Sequence, residues 1–194
     1  MLLFMAPDAD AEVQLLEDLD RAGAAFARLV DGVSRDQLTA STPCPGVDVR
    51  VLVQHLIEGS RYFTGLLTRS PPADTTEPTA QSLPVAFRAA AAQMLAAFAR
   101  PGILTEIFDS PVGRASGAEL ARVRLIELVA HGWDLTRATS QSMEVFPAGL
   151  CDRALLAARQ IVADHGRGRF GAQEPVSHDA SSADQLAAFL GRSP

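Results

Sequence analysis

The stretch from Leu120 to Ala138 most constrains what this chain can fold into. Glu127, His131 and Asp134 follow one another at spacings of four and three residues, so on a helix they share one face. The residues on both sides of this strip are apolar: Leu125, Leu128, Val129 and Leu135 on one flank, and Val123, Ile126, Ala130 and Trp133 on the other. A helix that is apolar on both flanks is normally buried. Since unpaired buried charge is costly, the strip requires compensation, which a divalent cation would supply.

An amphipathic helix further upstream carries another candidate ligand, His55. Its apolar stripe repeats at steps of four and three residues and consists of Leu52, Leu56, Gly59, Phe63 and Leu66. If this helix faces the later one, His55 converges with Glu127 and His131. Two histidines and one glutamate with an open fourth position form a ligand set typical of catalytic zinc sites. Two alternatives stay open: a hydrogen-bonded core histidine, and an ordinary pair of Glu127 with His131 one helical turn apart.

Asp134 has three interpretations. It is a fourth metal ligand, a hydrogen-bond acceptor that orients a ligand histidine from outside the metal's own shell, or the partner of Arg124 or Arg137. The second interpretation is favoured. No residue of the chain is assigned as the catalytic acid, base or nucleophile.

The remaining nucleophilic and titratable side chains give weaker evidence of a functional role. Cys44 lies near the start of the second predicted helix, where the helix dipole would lower a thiol pKa, but a small turn residue between two prolines is the favoured interpretation. Cys151, on an apolar helix face, is expected in the core, as is Trp133. His165, at a helix end among arginines, and His178, near the C-terminus, are both expected to face solvent.

Helical periodicity and capping signals predict an all-α chain. The first three helices are predicted at about 11–30, at 48–67 with Asp48 as N-cap, and at 83–98, with a short helical turn at 34–38. A Ser116/Glu119 capping box predicts the start of the fourth helix. The fifth helix is predicted to have Pro147 in its first turn and to end near Gly166, and the last helix is predicted from Ser182 to Gly191. A short extended piece is expected at 103–108. Pro-rich residues 70–81 predict a surface crossover. We expect one domain over 1–194, with a core bundle at about 10–140 and a C-terminal helical extension at about 147–194.

Composition excludes several classes of function. The net charge is −6 without a basic run, which argues against nucleic-acid binding, and no apolar run approaches the ~20 residues of a membrane span. The chain has no Lys, which excludes a Schiff-base lysine and a P-loop lysine. Two cysteines do not make a disulfide framework, so we expect a cytoplasmic location.

Three segments carry a resemblance to a known family. They are ELVAHGWDL at 127–135, TPCPGVDVRVLVQHL at 42–56, and the tail AAFLGRSP at 187–194. Together they resemble the DinB-like superfamily, and more closely the stand-alone relatives of the metal-binding N-terminal domain of mycothiol-dependent maleylpyruvate isomerase. Relatives usually have Asp-Trp where this chain has Gly46-Val47. The resemblance therefore does not predict the shape of the pocket in this chain.

The resemblance implies a DinB-like four-helix bundle with a long crossover between parallel second and third helices. It implies a zinc or nickel ion held by His55, Glu127 and His131, and a thiol transferase or isomerase-like enzyme. Its cosubstrate would be a small-molecule thiol, mycothiol, which would attack an electrophile that no residue identifies. The isomerase's second domain has no room in 194 residues, so the isomerase reaction itself is not implied. The alternative is a non-catalytic metal- or ligand-binding protein. A homodimer is one option for its assembly.

Overall fold

The computed structural model describes residues 9–71, 78–80, 82–110, 113–168 and 170–194. Within these residues the chain forms six α-helices and one short β-hairpin. The elements are α1 Ala9–Asp31, α2 Val49–Thr68, α3 Leu83–Phe98, β1 Ile107–Ser110, β2 Gly113–Ser116, α4 Gly117–Thr139, α5 Leu150–His165 and α6 Ser182–Phe189. The all-α fold class predicted from the sequence is confirmed.

Helices α1 to α4 form a four-helix bundle in which α1 and α2 each pack against both α3 and α4. Phe63 and Phe98, near the C-terminal ends of α2 and α3, pack with ring centroids 6.0 Å apart. Arg100, just after α3, donates a hydrogen bond to the carbonyl of Leu67 at 3.1 Å. The two helices therefore run parallel, as predicted. The predicted crossover between them lies partly outside the described residues.

The N-caps expected for the two site-bearing helices are both present. The Asp48 carboxylate accepts a hydrogen bond from the backbone N–H of Val51 at 2.8 Å and opens α2. At α4, the Ser116 hydroxyl accepts from the N–H of Glu119 at 3.2 Å, and the Glu119 carboxylate accepts from the N–H of Ser116 at 2.6 Å. These contacts satisfy N–H groups that have no partner inside the helix.

The extended piece expected at 103–108 lies further along the chain. Residues 101–105 form turns, and Ile107–Ser110 pairs antiparallel with Gly113–Ser116, with Ile107 opposite Ser116. The prediction placed the strand too early because the apolar pair Ile103 and Leu104 is buried as turn residues, not as part of a strand.

The start of α5 also differs from prediction. Pro147 is not in the first turn of α5: its carbonyl accepts a hydrogen bond from the N–H of Leu150 at 3.1 Å, and the helix begins at Leu150. Gly149, at φ 75°, takes a left-handed conformation that helical backbone excludes. Helix α6 begins at Ser182, as predicted, with Ser181 as its N-cap, and it ends at Phe189, two residues before the predicted end at Gly191.

Helices α5 and α6 cover the outer face of α4. Helix α5 packs on α4, and α6 packs on both α4 and α5. Trp133 of α4 is 2% exposed and packs against Ala183 and Ala187, while its indole Nε1 donates to the Asp184 carboxylate at 2.8 Å. Among the described residues, no helix is long and apolar enough to cross a membrane.

Candidate functional site

Two histidines meet where α2 and α4 pack together. The rings of His55 and His131 lie edge to face, with centroids 5.3 Å apart. Desolvation and, next, the nearby His131 lower the pKa of His55, although the negative charge of Glu127 opposes this shift. The lowered pKa favours the neutral imidazole, which is the form that ligates metals.

A chain of hydrogen bonds holds the His131 ring at its Nδ1 atom. Its Nδ1 lies 2.9 Å from the carboxylate of the fully buried Asp134. Arg192, near the C-terminus, donates to the same carboxylate from Nη2 at 2.8 Å and from Nε at 3.0 Å. Burial opposes ionisation of Asp134, but the hydrogen bonds from His131 and Arg192 outweigh it, and the pKa of Asp134 is lowered. The expected alternative partners, Arg124 and Arg137, do not make this contact.

Glu127 is held by a buried arginine of its own helix. The guanidinium of Arg124, which is fully buried, donates from Nη1 to Glu127 at 2.9 Å. Its Nη2 donates to the Ser60 hydroxyl at 2.8 Å and to the carbonyl of Leu56. A Cβ at Gly59 would lie 2.8 Å from Nη1, so the glycine makes room for this guanidinium between α2 and α4.

The structure therefore brings together part of the predicted ligand set. Two imidazoles face each other, and Nδ1 of His131 is hydrogen-bonded in the way that metal-binding histidines usually are. Glu127 has Arg124 as its hydrogen-bond partner, so the pairing of Glu127 with His131 is not observed. Among the described residues no group of three or more His, Cys, Asp or Glu side chains is placed to hold a metal ion. The three-ligand site stays a prediction.

A cavity of about 530 Å³ opens beside the histidines. His55 and Glu127 line it at the side of α2 and α4, and Phe63 and Val123 supply apolar wall. The end of α5 and the loop that follows it cover the cavity, with Ile161 among the residues in contact with it. Its volume is in the range of small-molecule sites, which are mostly apolar with a few polar groups.

His165 is a residue of this cavity that the sequence interpretation missed. It lines the cavity, and its Nε2 lies 2.9 Å from Glu119, so the expectation that it faces solvent is wrong. Burial raises the pKa of Glu119, but hydrogen bonds from Ser116 and His165 give a net lowering. No local pattern signals this pair, because 46 residues separate its members. His178, in contrast, is fully exposed.

Neither cysteine has the surroundings of a reactive thiol. Burial first, and the charge of Asp134 second, raise the pKa of Cys44, although Arg192 opposes the shift. The low pKa that a helix start would produce is thus not found. Cys151 packs beside Trp133, and burial, with the charge of Asp152, raises its pKa to about 11.

Comparison with known proteins gives one family. The model of the mycothiol maleylpyruvate isomerase N-terminal domain matches residues 19–136. An uncharacterized protein of Mycobacterium tuberculosis strain CDC 1551 / Oshkosh is 37% identical over 177 residues, which cover 89% of this chain and 94% of the relative. An uncharacterized protein of strain ATCC 25618 / H37Rv matches with the same values. No solved structure matches.

Proposed function

Because the chain belongs to the family of the mycothiol maleylpyruvate isomerase N-terminal domain, we propose that it is a metal-dependent enzyme of thiol chemistry. It would use mycothiol as cosubstrate, as a thiol S-transferase or an isomerase-like enzyme. The observation that carries the proposal is the pair of His55 and His131 in contact beside a cavity of about 530 Å³. A cytoplasmic location and a homodimer remain predictions.

His55, Glu127 and His131 would hold the metal, zinc or nickel. The donor chemistry suits either ion, since both accept imidazole and carboxylate ligands. When bound, the metal would lower the pKa of a coordinated thiol and keep it as a thiolate near neutral pH. Arg124 would set the position of the Glu127 carboxylate through its hydrogen bond of 2.9 Å.

Asp134 and Arg192 would orient His131. The ionised carboxylate accepts the Nδ1–H of the imidazole, which leaves Nε2 as the ligating nitrogen. Arg192 binds Asp134 through two nitrogens, so the carboxylate cannot rotate away from the ring without losing charge-assisted hydrogen bonds. The apolar residues of the cavity would keep water from a bound thiolate and leave room for the electrophile.

A second candidate function is a non-catalytic metal- or ligand-binding protein. The observation that favours it is the hydrogen bond between Arg124 and Glu127, which occupies one carboxylate oxygen of the third ligand. In that case the cavity beside His55 would bind a small molecule without transforming it. The two functions differ in whether a thiol reaches the metal.

The metal is tested first, by elemental analysis of purified protein. His131→Ala should lose stoichiometric zinc or nickel, because it removes one of two facing imidazoles. The matched control is His178→Ala, the same substitution at a fully exposed histidine, which should keep the metal. Equal metal content in the two variants would rule out the site.

The thiol is tested next, in cobalt-substituted protein. Addition of mycothiol should produce a sulfur-to-metal charge-transfer band that grows with pH, with an apparent pKa below the free-thiol value of about 8.5. Acetate, which binds through oxygen, serves as the control and should give no such band. A protein that retains cobalt but shows no band with mycothiol would support the binding protein instead of the enzyme.

A further inference from the structure

The cavity extends along both α2 and α4, and we call it the slot. His55 of α2 contacts His131 of α4, and Ser60, further along α2, accepts a hydrogen bond from Arg124, earlier in α4, so the two helices run in opposite directions. His55 and Phe63 line the cavity along α2, and Glu127 and Leu120 line it along α4. At 1.5 Å per residue, each wall is roughly 10–12 Å long. A ligand with one end at the histidines would therefore extend along both helices.

The wall between the two ends of the slot is predominantly apolar. Phe63 of α2, Leu120 and Val123 of α4, Ile161 of α5 and Phe170 of the loop after α5 all contact it. Such a surface favours an apolar ligand body, because burial of its hydrocarbon releases water from both surfaces.

The end of the slot remote from His55 is polar and carries positive charge. His165 lines the cavity, and its Nε2 lies 2.9 Å from Glu119, next to Leu120 at the start of α4, which is the end remote from His55. Arg167, two residues after His165, also lines the cavity. Hydrogen bonds from Ser116 and His165 engage the charge of Glu119. Arg167 donates to the carbonyls of Gly171 and Phe189.

Among the described residues, Arg167 has no carboxylate as a hydrogen-bond partner, so its charge is not neutralised by an ion pair. A ligand carboxylate at this end would complete a charge-assisted hydrogen bond.

We propose that the slot binds an elongated, mainly apolar substrate that carries a carboxylate at one end. The carboxylate lies at His165 and Arg167, and the end that reacts lies at His55 and Glu127. This substrate class rests on the proposed function for its electrophilic end, but its binding does not require the metal or the thiol. The two proposals can therefore fail separately.

The test is calorimetric binding of straight-chain carboxylates to zinc-loaded and to chelated protein. Octanoate should bind in both forms, and affinity should rise about fourfold per methylene from butanoate to octanoate. Val123→Phe fills the slot and should weaken octanoate binding at least tenfold. Val85→Phe, the same substitution at a residue of α3 that is 69% exposed, should leave it unchanged. Absence of octanoate binding, or equal affinity for butanoate and octanoate, would overturn the proposal.

The charged end is tested with a matched acid and alcohol. Arg167→Gln should weaken octanoate binding about fivefold and leave 1-octanol binding unchanged, whereas Arg167→Lys should restore most of the octanoate affinity. An equal loss for both ligands, or no loss for either, would refute the carboxylate position.

The orientation of bound octanoate is measured by nuclear magnetic resonance, from the ring signals of the four histidines. Octanoate should shift the signals of His165 and His55 and leave that of His178 unchanged. If metal and thiol binding persist while this pattern fails, only the substrate class is wrong. If octanoate binds as expected but metal binding fails, only the proposed enzyme is wrong.

Discussion

Gly59→Ala tests whether the contact between α2 and α4 depends on the room left for Arg124. The new methyl group would lie 2.8 Å from Nη1 of Arg124 and 3.4 Å from its Cζ. The guanidinium is fully buried and bound to Glu127, Ser60 and the carbonyl of Leu56. It cannot move away from the methyl group without giving up at least one of these hydrogen bonds.

Two opposing effects set the magnitude. Replacing glycine by alanine inside a helix stabilises it by about 0.8–1 kcal/mol. Losing one hydrogen bond to the charged group of Arg124 costs about 1.5–3 kcal/mol. The net destabilisation is then about 0.5–2 kcal/mol. Since 1 kcal/mol corresponds to roughly 2–4 °C in a chain of this size, Tm should fall by about 1–8 °C.

The assay is thermal unfolding followed by circular dichroism, with Gly23→Ala as the matched control. Gly23 also lies inside a helix, but a Cβ there would have no atom within 4 Å, so this variant should gain up to ~1 kcal/mol. In an Arg124→Met background, Gly59→Ala should no longer destabilise. A rise in Tm for Gly59→Ala equal to that of Gly23→Ala would refute the reasoning.

Two further predictions concern pH and metal removal. Burial opposes ionisation of Asp184, but hydrogen bonds from Trp133, Ser181 and Arg137 outweigh it and lower its pKa. Its stabilising contribution is therefore present above the ordinary Asp value of about 3.9 and is lost as pH falls through the lower folded-state pKa. Acid unfolding followed by fluorescence of the single Trp should be less steep in Asp184→Asn than in the wild type; an identical pH profile would contradict this. Chelation should lower Tm, since a metal that binds only the folded state contributes about 2.7 kcal/mol at a hundredfold excess over its Kd; an unchanged Tm after verified metal removal would count against a metal between α2 and α4.

The sequence by itself determined the helices and most of their starts. These features depend on residues within four positions of one another: the apolar period of each helix, the Asp48 N-cap, and the reciprocal hydrogen bonds of Ser116 and Glu119. Local chemistry decides them, so they are readable from the chain. At the start of α5 the local sequence was misleading. Pro147 favours the first turn of a helix, but Gly149 has a left-handed backbone, and the helix therefore begins after it, at Leu150.

The sequence also predicted that His55 and His131 lie close together. His55 and His131 do meet, as the apolar faces of their helices suggested, because burying those faces against each other leaves few relative orientations. Whether Glu127 completes a metal site with them stays a prediction.

Only the tertiary structure decided the long-range partners of the site. Arg192 binds Asp134 across 58 residues, and His165 lies against Glu119 across 46. The chain holds 17 arginines, and any of them is chemically able to pair with a carboxylate. Periodicity describes one helix at a time, whereas these pairs arise from how α5, α6 and the C-terminal residues pack on α4. The choice among equivalent charged residues is therefore made by packing, which local patterns do not encode.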